Sequence, residues 1–88
     1  MGNVDNTLKE RGETHGDYKY TSECAQDLKD VITGHCNWQS MEADQRESLD
    51  MICSKIARLA CGDANHRDTW LDVAGYAQLI VNRLENKS

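Results

Sequence analysis

The stretch DTWLDVAGYAQLIV, residues 68–81, decides how this chain folds. Trp70, Val73, Ala74, Ala77, Ile80, Val81 and Leu84 recur at spacings of three and four. That period predicts a helix with these residues on its core face. At about 100° per residue, Asp68, Asp72, Gly75, Tyr76 and Leu79 fall within roughly a third of the circumference, opposite the stripe. This second side is neither plainly solvated nor plainly core. Gly75 costs about 1 kcal/mol relative to alanine in mid-helix, so a close approach is expected there, with helix crossing and ligand contact as the two candidates.

Outward from this helix, expected at 66–85, the turn GDANH leads back to a second long apolar period at 41–61. Its stripe is Leu49, Ile52, Cys53, Ile56, Leu59 and Ala60. Ser40 or Asp44 opens it, with Asp44 and Glu47 at capping-box spacing, and Gly62 closes it. A short connection makes these two helices an antiparallel hairpin. Further upstream, the connector GHCNWQS holds Trp38, placed to pack over the open end of the bundle. Asp17 is set to cap a helix at 18–33 that Gly34 ends, with Tyr20, Cys24, Leu28, Val31 and Ile32 as its stripe. A short helix at 6–12 precedes the turn GETHGDY. No segment alternates with a period of two, so the fold class is all-α, one domain over residues 1–88.

Composition narrows the functions. A chain of 88 residues buries only about 60–65% of its unfolded surface, so oligomerisation would help it. The net charge of -5 argues against duplex DNA or RNA, which is held by clustered Lys and Arg. Small nucleotides stay open, because a bound metal ion reverses the sign of an acidic pocket. The sequence has no apolar run of membrane-spanning length and no hydrophobic signal core in MGNVDNTLKERG, which reads as a cytoplasmic protein. Its four cysteines, Cys24, Cys36, Cys53 and Cys61, are then expected reduced, with Cys24, Cys53 and Cys61 buried as small apolar residues. His35, Cys36, Cys61 and His66 lack the paired spacing of a zinc site.

The candidate chemistry is acidic. Glu47, Asp50, Ser54 and Arg58 lie away from the apolar stripe of their helix, with Lys55 at its edge, and Asp68 and Asp72 project one turn apart from the next. If these faces meet, up to four carboxylates converge. Mg²⁺ takes such oxygen ligands while keeping waters and substrate phosphates, and Lys55 and Arg58 then reach phosphate oxygens. The same spacings equally describe a solvated face with intrahelical ion pairs. His15, Asp17 and Tyr18 in HGDY form a compact polar turn; it either serves the backbone and the helix cap or covers a base or ribose, with Tyr18 stacking. Trp70 reads as core.

The blocks ERGETHGDY, QRESLDMICSKIARLACGD and HRDTWLDVAGYAQLI, from about Leu8 to Leu84, resemble a group of small phage and prophage proteins of unassigned function. That group looks like the nucleotide-modification-associated domains and, more distantly, the all-α MazG-like nucleoside triphosphate pyrophosphohydrolases. The resemblance implies a MazG-like bundle, a homodimer or higher oligomer, and Mg²⁺-dependent cleavage of a nucleoside triphosphate to monophosphate and pyrophosphate. Carried over, Glu47 and Asp50 stand for the acidic pair of one helix, Asp72 with Asp68 for that of the next, and Lys55 and Arg58 for phosphate contacts. The second pair here is DxxxD where those enzymes generally carry ExxD. Two other functions fit the residues: a module that sequesters nucleotides without turning them over, and one whose acidic surface engages a host protein in the manner of a nucleic-acid mimic.

Overall fold

The computed structural model describes residues 17–86, and these are all-helical apart from turns, without strands. The short helix expected at 6–12, and His15, lie outside the described residues. Helix α1 (Tyr18–Thr33) is followed by a 3₁₀ turn (Trp38–Ser40), helix α2 (Ala43–Cys61) and helix α3 (Arg67–Asn86).

Local chemistry explains most of the boundaries. Asp17 Oδ1 accepts the Lys19 amide at 2.9 Å and starts α1, as its position predicts. Gly34 caps the other end through its amide on the Ile32 carbonyl. The start of α2 differs from expectation. Neither Ser40 nor Asp44 is its cap; Glu42 is, and its amide donates to Gln45 Oε1 at 2.9 Å. The reciprocal cap therefore runs between residues 42 and 45, because the 3₁₀ turn uses up Ser40, whose hydroxyl donates to the Asn37 carbonyl at 3.0 Å. Asp44 is left in the first turn and serves a tertiary contact instead. An Asx turn, with the Asn65 amide 2.9 Å from Asp63 Oδ1, leads into α3.

Helix α2 is central. Helices α1 and α3 each pack along it and share almost no contact with each other. Both run antiparallel to it: the guanidinium of Arg83, late in α3, is bidentate on Asp44, early in α2, at 2.6 and 2.7 Å. At the opposite end of α2 the Cys61 thiol reaches the Tyr20 carbonyl of α1 at 4.0 Å. Among the described residues the product is a layer of three helices. Small side chains form its contacts: Thr21 and Ala25 on α1, Ser48, Cys53 and Ala57 on α2, Thr69 on α3, all buried. They let neighbouring helices approach closely. Trp38 is buried and the 3₁₀ turn packs against α1.

The expected core stripes split. On α3, Val73 and Ile80 turn toward α2 with Thr69 and Tyr76, but Trp70, Ala74, Ala77, Val81 and Leu84 are exposed, Trp70 by 55%. On α2, Cys53 and Leu59 are buried whereas Leu49, Ile56 and Ala60 are exposed. On α1, Tyr20 and Val31 are exposed and Cys24, Leu28 and Ile32 half-buried. Cys61 is exposed, against the expectation of burial. The helix crossing considered at Gly75 is not found among the described residues, none of which, the helix's own backbone aside, lies within 4 Å of a Cβ placed there.

Two substitutions check this packing. Ala57 is fully buried, so Ala57→Leu should lower unfolding free energy by about 1–3 kcal/mol in denaturant titrations. Gly75→Ala adds a methyl to open space in mid-helix and should raise it by up to about 1 kcal/mol.

Candidate functional site

The described polar residues named from the sequence lie on or at the start of their helices as expected, and of these Lys55 and Asp72 form an ion pair. Lys55 Nζ sits 3.1 Å from Asp72 Oδ2, with its side chain only 12% exposed, so its ammonium is already engaged across the α2–α3 contact. Asp68 lies 3.8 Å from its neighbour Arg67 on an open surface. Glu47 is exposed, while Asp50 and Arg58 are half-buried. Asp17 serves the α1 cap, and Tyr18 beside it projects into solvent, 85% exposed. Among the described residues no three His, Cys, Asp or Glu side chains are placed to hold a metal ion together. Asp72 is thus brought to Lys55.

A second charged group escaped the sequence reading. Arg83 joins Asp44 and also lies 3.0 Å from Glu42 Oε2, which ties the end of α3 to the start of α2. The Arg83 hydrogen bonds hold the Asp44 carboxyl below its ordinary range. The signal was two acids near the start of one helix and an arginine late in the next, legible only once the hairpin register is known.

The cysteine thiols divide by burial. All four are free. Burial pushes the Cys53 thiol up. Burial also pushes up that of Cys24, helped by the neighbouring Cys61 and Asp27.

The most extensive feature is apolar. Around α2, at about 100° per residue, Ser48, Lys55 and Leu59 share the side that meets α3, and Cys53 and Ala57 lie about 160° away toward α1. Leu49, Ile56 and Ala60 sit between these directions, on one broad side of the layer. On α3 the stripe of Trp70, Ala74, Ala77, Val81 and Leu84 lies about a quarter turn from the α2-facing residues. On α1, Tyr20, Cys24 and Val31 lie a quarter turn from Thr21 and Ala25 in the opposite sense. Because both outer helices run antiparallel to α2 from opposite flanks, these opposite offsets bring all three stripes to the same side of the layer. Lys55–Asp72 and Asp44–Arg83 fall on the other side.

An open groove of about 390 Å³ along α1, lined by Tyr20, Glu23, Cys24, Asp27, Leu28 and Val31, belongs to this apolar side. None of the described residues named for nucleotide binding lines it. Trp70 is fixed on the same side by its indole N–H, which donates to the Ala64 carbonyl at 2.8 Å. Its ring therefore presents a defined surface.

These features define an all-α layer with one apolar side and an opposite side that carries the ion pairs between α2 and α3, with Leu79 exposed there. The chain matches no known family model, no curated protein sequence and no solved structure. Among the described residues no helix is long and apolar enough to cross a membrane.

The Asp44–Arg83 contact carries a pH signature. A carboxyl held low in the folded state stabilises it fully above about pH 4, its unfolded range, and loses that contribution as pH falls through the lowered value. Melting temperature should therefore drop more steeply between pH 5 and pH 2, taken as rough bounds, in the native chain than in Asp44→Asn. Equal slopes would mean the contact is not populated.

Proposed function

We propose that this chain is a non-catalytic protein-interaction module that works through the apolar side of its three-helix layer. The observation that carries this reading is the alignment of the three exposed stripes. Soluble monomers rarely leave large contiguous apolar patches open, and such a patch rimmed by polar residues marks a docking surface. The acidic balance of the chain argues against an anionic membrane as the occupant, since peripheral binding draws on Lys and Arg around the apolar face. The host-protein binding considered from the sequence used the acidic surface, whereas this reading uses the apolar side.

Mg²⁺-dependent nucleotide binding or hydrolysis, implied by the phage-protein and MazG-like resemblance, is the rival that the same experiment decides. It would require Lys55 and Asp72 to give up each other for phosphate and metal, and Glu47 and Asp50 to join them.

Thermal-shift titration with nucleoside triphosphates, with and without Mg²⁺, separates the two. A ligand at about 100 times its Kd adds about 2.7 kcal/mol, a shift of several degrees for a domain of this size. The expected result is no Mg²⁺-dependent shift, together with binding of an apolar dye, at dilutions where the chain is monomeric, that Ile56→Ser and Val81→Ser reduce. A Mg²⁺-dependent shift that Asp72→Asn abolishes would overturn the interaction reading in favour of the nucleotide one.

A further inference from the structure

The apolar side needs an occupant, and its chemistry describes a second copy of the chain. On α3 the exposed residues Trp70, Ala74, Ala77, Val81 and Leu84 follow spacings of four, three, four and three. That is the seam by which two helices pair along their length. Trp70 and Leu84 each lie two turns from Ala77, in opposite directions, and are 55% and 48% exposed. Reversing the helix about Ala77 sets Trp70 of each copy over the partner's Leu84 and lets the backbones approach at the alanines. The stripe is thus complementary to itself when antiparallel.

Charge and area agree with that arrangement. Arg67 and Glu85 stand near opposite ends of α3, on the same outer edge of its stripe, and both are exposed. Antiparallel pairing brings Arg67 toward the partner's Glu85 twice, whereas parallel pairing would set like charges together. Helices of 16, 19 and 20 residues, spaced at about 9 Å and rising about 1.5 Å per residue, present a face of roughly 700 Å². A standard stable interface takes about 800 Å² from each partner.

We infer that the apolar side is a twofold interface: two copies stack face to face, each α3 antiparallel on its counterpart, with Leu49 and Ile56 of α2 and the α1 groove extending the contact. A twofold axis lying in the interface and crossing the helices places every helix on its own copy. The two three-helix layers then enclose the core that one layer lacks. This inference rests on the interaction-module reading and names its occupant.

Sedimentation equilibrium of the full chain tests it. The native chain is expected to be a dimer at micromolar concentration. Ala77→Glu, which sets two carboxylates against each other at the axis, should weaken association at least about 100-fold. Leu79→Glu, on the far side of α3, should leave it unchanged. Arg67→Glu should weaken it about 2- to 10-fold, and adding Glu85→Arg should restore it. If Ala77→Glu loses its helical circular dichroism, Val81→Lys replaces it, and dilution of the native chain measures the same equilibrium. A monomer at 100-fold higher concentration than needed, or a dimer indifferent to both Ala77→Glu and Val81→Lys, overturns the second copy. A monomer whose apolar dye binding still depends on Ile56 and Val81 keeps the module and rejects only its occupant. A monomer without such binding rejects both.

Discussion

Everything in this fold depends on α2 having two packed sides. Small residues, Ser48, Cys53 and Ala57, are what it contributes to its contacts, together with Leu59. They hold α1 and α3 close, but a helix that meets its neighbours through small side chains buries little apolar area per contact. No large side chain among the described residues is fully buried. Since burial contributes about 25 cal/mol per Å² of apolar surface, the layer is left with much of its hydrophobic stabilisation unspent on one side. The open side is therefore a consequence of the central helix, not an addition to it.

The charged residues divide in the same geometry. Lys55–Asp72 and the Glu42–Asp44–Arg83 group lie where α2 and α3 diverge on the polar side, and each links the two helices. Partly exposed pairs of this kind contribute modestly to stability and more to register, because only one alignment of the hairpin satisfies both. With register fixed, Val73, Tyr76 and Ile80 face α2 and the Trp70-to-Leu84 stripe turns outward. Electrostatics on one side thus determines which apolar residues the other side displays.

Much of the local structure was legible in the residues themselves. The three helices, the Asp17 cap, the Gly34 stop and the short turn into α3 follow from period and capping chemistry, which act within a few residues. The start of α2 was misread because Ser40 and Asp44 are good caps in isolation, while the 3₁₀ turn engages Ser40 and Arg83 engages Asp44. Trp70 was misread for a different reason. An apolar stripe as wide as the one from Trp70 to Leu84 covers two directions, and period alone does not say that only one of them meets a neighbour within the chain. The carboxylates show the same limit: spacing puts Asp68 and Asp72 on one face, but not what faces them.

Over the described residues the sequence by itself determined an all-α fold and the extents of its three α-helices to within a residue or two, since these are set by interactions between near neighbours. Only the tertiary structure decided that the helices form an open layer about α2, that Asp72 meets Lys55, and that the apolar stripes share one side. Those outcomes depend on the direction and register in which helices meet. Many residues far apart in the chain contribute to that choice, and no local window of the sequence contains it.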